Sequence, residues 1–145
     1  MKKFPLEEIK NYKEREKEKA EIELSNLLKK KEEQLNKIKE LEQQKELFEK
    51  QLKDVMNQTF NLQKVLLFQN YLKYFSDLLL IAEKELEQLE KKIEQQQQII
   101  KEKTIDYKKF EKLEEIFIKE KQDKEKYNEK KELDEIVSIR ENRKE

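Results

Sequence analysis

The chain contains no glycine and a single proline, so almost nothing along its 145 residues interrupts a helix. Charged residues make up 47% of the sequence and hydrophobic residues 34%, a balance too polar for a compact globular core. High charge also favours intrinsic disorder, but a chain without helix breakers argues against it. The abundance of Lys, Glu, Gln and Leu therefore indicates long helices that pair in a coiled coil.

The charges are balanced, with 34 basic and 34 acidic residues. Because such a chain lacks the net positive field that attracts nucleic acid, we predict no nucleic-acid partner. The absence of His and Cys removes the usual zinc sites, thiol nucleophiles and histidine-based triads, and the absence of Gly removes phosphate-binding loops. Carboxylate pairs on a solvated helix lack the desolvated cleft that catalysis needs. We therefore expect no enzymatic activity, no cofactor and no metal.

The sequence begins MKKFPLEEIKNY, a basic start in which Pro5, Glu7 and Glu8 come before any apolar run. This is not the pattern of a signal peptide. The absence of Cys suits a reducing compartment. Both features predict a cytoplasmic protein.

Apolar residues recur mostly three or four positions apart in both halves of the chain, as in a heptad seam. The two steps of three from Leu35 to Ile38 to Leu41 predict local overwinding of the supercoil. The glutamine run at 95–98 is predicted to be helix surface. The first predicted seam comprises Leu24, Leu28, Leu35, Ile38, Leu41, Phe48, Leu52, Val55, Leu62 and Leu66, with Lys31, Lys45 and Thr59 at seam positions. The second comprises Tyr71, Phe75, Leu78, Ala82, Leu86, Leu89, Ile93, Ile100, Tyr107, Phe110 and Phe117.

Residues 57–61 read NQTFN, and Asn and Thr are poor helix formers that bond readily to nearby backbone. We place the turn of a hairpin at about 58–62, since short polar stretches between periodic segments mark turns. The first helix then spans about 4–57 and the second about 63–140.

Antiparallel pairing around this turn joins residues whose numbers sum to roughly 120, so Ile38 faces Ala82. By the same relation, Phe4 lies opposite residue 116 or so, and the chain beyond Phe117 has no helix beside it. The predicted fold class is all-α. Residues 1–145 are expected to form a single coiled-coil domain, a long two-helix antiparallel hairpin whose C-terminal helix extends beyond the hairpin.

The extending segment ends KKELDEIVSIRENRKE. Four of its residues share a helical face at i, i+3, i+4 and i+7 spacing. Only three of the 34 basic residues are arginine, and two of the three lie here, which favours a site for planar bidentate pairing. Because this face has no intramolecular partner, we expect a partner protein to bury it. The four residues are Leu133, Ile136, Val137 and Arg140.

Residues 60–82 read FNLQKVLLFQNYLKYFSDLLLIA and contain three charges, Lys64, Lys73 and Asp77. A two-stranded seam needs about two apolar residues in seven, so some of these side chains must face outward. Either they thicken the core near the turn beneath a folded-back capping segment, or they form an aromatic patch that docks a partner. Polar residues interrupt any useful membrane span, so we predict no direct membrane insertion. The candidate patch residues are Phe48, Phe68, Tyr71, Tyr74, Phe75 and Leu78.

Several segments carry a family pattern: MKKFPLEEI at the start, KEREKEKAEIELSNLL in the first arm, QNYLKYFSDLL after the turn, and YKKFEKLEEIFIKEKQDKEKYNEKKELDEIVSIR at the end. Together they resemble the FliJ family, the small soluble coiled-coil component of the bacterial flagellar protein-export apparatus, whose counterpart in virulence-type secretion is the YscO group. The chain has more Lys and Ile than the family usually shows. The residues that fit the most specific, C-terminal pattern are Tyr107, Leu113, Lys131, Glu132, Leu133, Asp134, Glu135 and Arg140.

The resemblance implies a non-enzymatic hairpin similar to the γ stalk of rotary ATPases, which enters the central channel of a hexameric export ATPase and promotes its assembly and activity. It also implies contacts with the export gate and with export chaperones, and peripheral association with the inner membrane at the export apparatus. The aromatic patch is then the expected gate contact, and the isolated protein is expected to be monomeric. The expected ATPase contacts are Leu133, Asp134, Glu135, Ile136, Arg140 and Arg143.

Two other functions fit the same residues. A generic coiled-coil scaffold predicts a longer uninterrupted heptad and a parallel dimer, whereas the charge-poor segment between two apolar seams favours a chain that folds back on itself. A holdase chaperone that grips unfolded proteins would use the aromatic patch, but it needs neither Arg140 nor the Leu-Asp-Glu order.

Overall fold

The computed structural model describes residues 3–58 and 61–144, and these residues form two helices, α1 (Glu7–Asn57) and α2 (Leu62–Lys144). The two long helices pack antiparallel, and no strand occurs in the described parts of the chain, which confirms the all-α hairpin. α1 begins a few residues later than expected, and α2 continues past 140. The predicted turn at 58–62 includes residues 59 and 60, which lie outside the described residues.

The helices contribute to two compact units. The turn unit is Ala20–Ile99, and the terminal unit combines Met1–Lys19 with Ile100–Glu145. Every buried apolar residue that the structure describes belongs to the turn unit. The expectation of a single domain stays a prediction.

The position at which each helix begins follows from the local sequence. The Asn61 side-chain oxygen accepts hydrogen bonds from the backbone N–H groups of Gln63 (3.1 Å) and Lys64 (3.4 Å), as an N-cap residue does. At the start of α1, the Glu7 N–H donates to the Phe4 carbonyl at 3.1 Å, so Pro5 lies in the first turn, where its missing N–H costs nothing. Glu7 and Glu8 place negative charge near the positive end of the helix dipole.

The seam of the turn unit is an unbroken heptad pattern in both helices. Its α1 residues are Ala20, Leu24, Leu27, Lys31, Gln34, Ile38, Leu41, Lys45, Phe48, Leu52 and Val55. Its α2 residues are Val65, Phe68, Leu72, Phe75, Leu79, Ala82, Leu86, Leu89, Ile93 and Gln96. Steps of three and four alternate throughout, so each of these side chains meets the facing helix.

The predicted seam was wrong at several leucines and at Tyr71. Leu28, Leu35, Leu62, Leu66 and Tyr71 are all exposed. Their neighbours at 27, 34, 65 and 72 are buried or half-buried instead. In the same way, the buried Leu79 takes the seam position that was predicted for Leu78. Because position 34, and not position 35, belongs to the seam, the two consecutive steps of three do not occur. The heptad pattern therefore gives no reason for local overwinding of the supercoil.

Polar side chains pair with alanines at two levels of the seam. Gln34 Nε2 donates to the Ala82 carbonyl at 2.9 Å, and Gln96 Nε2 donates to the Ala20 carbonyl at 3.0 Å. Gln96 is only 6% exposed, so the prediction that the glutamine run is surface was wrong at this residue. The small alanine side chain leaves room for the amide to reach the backbone across the seam. On the turn side of the Gln34 level, Ile38 packs with Ala82 and Leu79, which confirms the predicted pairing.

Replacing both seam glutamines with leucine is expected to raise the free energy of unfolding by about 1–2 kcal/mol, because polar residues at seam positions specify register at a cost in stability. The two alanine carbonyls lie within continuous helices, so they keep their helical hydrogen bonds. Urea unfolding of Gln34→Leu with Gln96→Leu measures the change. The exposed pair Gln43→Leu with Gln97→Leu is the control and should change little. Destabilisation of the seam variant would show that the amide hydrogen bonds outweigh the gain in apolar burial.

Candidate partner-binding surfaces

The aromatic patch forms around Phe48 of α1. Its ring stacks on Tyr71 of α2 with centroids 5.3 Å apart, and it lies 5.3 Å from Phe75 and 6.0 Å from Phe68. The structure therefore brings four of the six predicted patch residues into one cluster between the helices. The remaining two are Tyr74, whose ring meets Phe75 edge-on at 5.7 Å, and Leu78, which is half-buried.

The patch divides into an inner and an outer part. Phe75 is 9% exposed, and Phe48 and Phe68 are half-buried at seam positions, so these three rings hold the two helices together. Tyr71 and Tyr74 are exposed on α2. α2 runs unbroken from Leu62, so no capping segment covers them within the described residues.

Sequence reasoning missed other exposed apolar residues of this region. The structure exposes five aliphatic side chains on α2 near the tyrosines: Leu62, Leu66, Leu67, Leu80 and Ile81. The runs VLLF and LLLIA signalled an excess of apolar residues over what a seam can bury. They could not show which members face outward, because such runs place apolar residues on every side of a helix.

The second candidate surface is the C-terminal part of α2, where residues 122–143 are all exposed. We call the direction in which Phe117 points from the axis of α2 the seam direction. Polar residues occupy the heptad positions that point this way further along α2, among them Lys124, Asn128, Lys131, Glu135 and Ser138. At about 100° per residue, Leu133 lies about 160° around the helix from Phe117. The apolar face of this segment therefore points away from the side on which α2 meets α1.

The six predicted ATPase contacts do not all share that face. Taking about 100° per residue from Phe117, Leu133, Ile136, Arg140 and Arg143 fall within a sector about 80–160° from the seam direction. Glu135 points in the seam direction itself, and Asp134 lies on the side of the helix opposite this sector. We call Leu133, Ile136, Val137, Arg140 and Arg143 the tail face.

In the terminal unit, the described contacts between the N-terminal segment and α2 include a pair of aromatic rings, a cation–π contact of Lys17 Nζ with the Tyr107 ring (5.3 Å to its centroid) and two ion pairs. The rings of Phe4 and Phe117 are 5.6 Å apart, as expected from the pairing of Phe4 with residue 116 or so. Lys103 Nζ donates to Glu16 Oε2 at 2.7 Å, and Lys10 Nζ pairs with Glu114. These polar contacts occupy the place that apolar side chains fill in the turn unit.

The pKa values of four side chains in this unit depart from their ordinary values. The hydrogen bond from Lys103, and then one from Tyr12, lowers the pKa of Glu16, and the same pairing with Glu16 raises the pKa of Lys103. Hydrogen bonding to Glu114 raises the pKa of Lys10. Burial, followed by a hydrogen bond to Glu111, raises the pKa of Tyr107. Because the side chains of both ion pairs are partly exposed, each pair stabilises the unit little.

Neither metal nor membrane chemistry is indicated by the described part of the chain. No group of three or more acidic residues there is placed to hold a metal ion. No described helix combines the length and apolar character needed to cross a membrane.

Comparison with known proteins identifies the family of the chain. A family model described as flagellar FliJ protein matches residues 1–145. No curated protein and no solved structure matches the chain significantly. The family match spans the whole sequence, so the chain belongs to the FliJ family, a component of the flagellar protein-export apparatus.

Proposed function

We propose that this protein acts as a stalk-like regulator of the hexameric flagellar export ATPase and links the ATPase ring to the membrane export gate and to export chaperones. The single observation that carries the proposal is the exposed end of α2. Residues 122–143 continue a regular helix beyond Phe117, whose ring contacts Phe4, and all of them are exposed. An exposed helix with one apolar face suits insertion into a partner.

The tail face has the chemistry of a docking helix. Leu133, Ile136 and Val137 are 49–61% exposed, and burying such side chains is worth about 1.5–3 kcal/mol each. Arg140 and Arg143 continue the same face toward the C-terminal end, where guanidinium groups can pair with carboxylates in two-point hydrogen bonds. The partner surface expected from this order is an apolar groove with acidic side chains at one end. In this proposal the ATPase ring supplies that groove.

The exposed tyrosines near the turn are the proposed contact with the export gate. Tyr71 and Tyr74 offer apolar rings with polar tips, a combination enriched at protein interfaces. The proposal places the protein in the cytoplasm, peripherally associated with the inner membrane at the export apparatus. The contact with export chaperones rests on the family alone, and we assign no residue to it.

The test is the hydrolysis rate of the host's export ATPase with the full chain and with a chain that ends at Lys130. We expect stimulation by the full chain and none by the shorter one, because the truncation removes the entire tail face. The thermal midpoint of the hairpin should be unchanged, since the removed segment is exposed throughout its described part, and the helical signal should fall only by the helical residues removed.

Equal stimulation by the two chains would place the ATPase contact elsewhere. Stimulation by neither would favour a generic coiled-coil scaffold or a holdase chaperone. Light scattering tests the scaffold, which would form a parallel dimer, and suppression of client aggregation tests the holdase.

A further inference from the structure

A second row of apolar side chains follows the heptad pattern on α2, separate from the seam. We call it the outer stripe. Its steps are four, three, four and three residues, the same spacing as in the seam. Four of its members are 45–58% exposed and the fifth is half-buried. The outer stripe comprises Leu67, Tyr71, Tyr74, Leu78 and Ile81.

The outer stripe differs from the other exposed apolar residues of α2 in being continuous. Leu66 and Leu80 share a heptad position, but Lys73 separates them at that same position. In the outer stripe, by contrast, each position reached by alternating steps of four and three from 67 to 81 holds an apolar or aromatic residue. A row of this period matches the a and d positions of a coiled coil, whose partner is a helix.

Two residues of the stripe contact the inner part of the aromatic patch. Tyr71 stacks on Phe48 at 5.3 Å, and Tyr74 meets the buried Phe75 at 5.7 Å. A shallow, mostly apolar groove runs along Leu67, Asn70, Tyr71 and Tyr74. Because the two tyrosine rings are already packed against neighbouring rings, a partner would not bear the full entropic cost of fixing them.

We infer that the outer stripe is a second coiled-coil seam, which accepts one α-helix of a partner protein alongside the hairpin. The partner helix carries apolar residues three and four positions apart. It is poor in charge along the contact, since the flanking residues Gln63, Asn70 and Asp77 include a single charge. The inference rests on the proposed gate contact for the identity of the partner, but not for the helical form of the contact.

The small area of the stripe favours a partner protein that binds transiently over a stable dimer with a second copy of this chain. Fourteen residue steps at about 1.5 Å each give a contact about 21 Å long. With a helix about 10 Å across, it covers on the order of 200–300 Å² of each partner, well below the roughly 800 Å² per partner of a stable complex. Such a contact suits reversible engagement during export.

The experiment uses the full chain and a fluorescent helical peptide three heptads long, with Leu at a and d positions and Gln and Ala elsewhere, at concentrations where the peptide is monomeric. Anisotropy measures binding. We expect the double variant Leu67→Gln with Ile81→Gln to bind the peptide at least about tenfold more weakly, because the apolar anchors at both ends of the stripe are lost.

The matched control is Leu66→Gln with Leu80→Gln. Its residues are 49% and 53% exposed, against 52% and 54% for the stripe pair, and each lies one residue away. The control variant should bind like the wild type. A peptide of the same composition with alternating apolar residues should not bind, because it cannot present a heptad face.

The inference is overturned if the wild type does not bind the heptad peptide, if both double variants lose binding equally, or if the alternating peptide binds as well. Dimerisation of the wild type in sedimentation equilibrium, lost only in the stripe variant, would make a second copy the occupant and also overturn it. A parallel titration with the soluble domain of the export gate tests the proposed function separately. Peptide binding without gate binding would support the second seam and reject the gate as its partner.

Discussion

Phe75→Ala is expected to lower the free energy of unfolding by about 3 kcal/mol, the cost of removing a buried aromatic ring and leaving a cavity. Phe75 is 9% exposed and its ring contacts Phe48 of the facing helix at 5.3 Å. The substitution therefore removes a contact between the helices as well as buried area. Urea unfolding followed by circular dichroism measures the change.

The neighbouring Tyr74→Ala is the matched control. Tyr74 is 58% exposed, so its loss should cost less than about 1 kcal/mol. Equal losses for the two variants would contradict the division of the aromatic patch into an inner part that holds the helices and an outer part that faces solvent. The comparison matters for function because both residues were predicted to contact the gate, and only Tyr74 is accessible to a partner.

The hairpin and its pairing could be predicted from the sequence because a long heptad pattern overdetermines them. Without glycine, each seam continues through many turns, so errors at single positions do not disturb the pairing of Ile38 with Ala82 or of Phe4 with the end of the seam. The exposed end of α2 followed from the same count. These features depend on periodicity over tens of residues, which composition and spacing report well.

Where two leucines are adjacent, it was harder to predict which of them lies in the seam. Leu27 and Leu28 are equally apolar, so hydrophobicity alone does not choose between them. At 34 and 35 the more apolar residue is the wrong choice. Gln34 occupies the seam because the heptad fixed by the residues on either side passes through it, and because the opposite Ala82 leaves room for its amide. Gln96 could have been found in the same way, since it follows Ile93 by three residues on the seam.

The candidate sites were predictable in region but not in detail. Charge depletion located the apolar region near the turn, but separating its seam from its outer stripe required knowing which side of α2 faces α1. At the tail, i, i+3 and i+4 spacing grouped Leu133, Ile136 and Arg140 on one face. Asp134 and Glu135 were included through the order of residues in the family pattern, which carries no information about direction around a helix.

The final prediction tests whether helical spacing or the family pattern identifies the residues of the tail that bind the ATPase. Leu133→Ser with Ile136→Ser is expected to reduce stimulation of the export ATPase at least about tenfold at subsaturating concentration, since two apolar contacts worth about 1.5–3 kcal/mol each are removed. The control is Lys131→Ser with Glu135→Ser, which removes one charge of each sign and leaves the net charge unchanged. Both control residues lie near the seam direction, within about 40° of it by helical geometry, on the side away from the tail face.

If the tail face binds the ATPase, the control variant stimulates like the wild type although Lys131 and Glu135 both belong to the family-like segment. Loss of stimulation in the control alone would mean that the ring contacts the polar side of the helix, in line with α1. The partner would then have to approach as a continuation of the hairpin seam rather than from the outer side of α2. Because both variants alter exposed residues only, neither should change the unfolding midpoint, so a difference in stimulation reports the contact and not the fold.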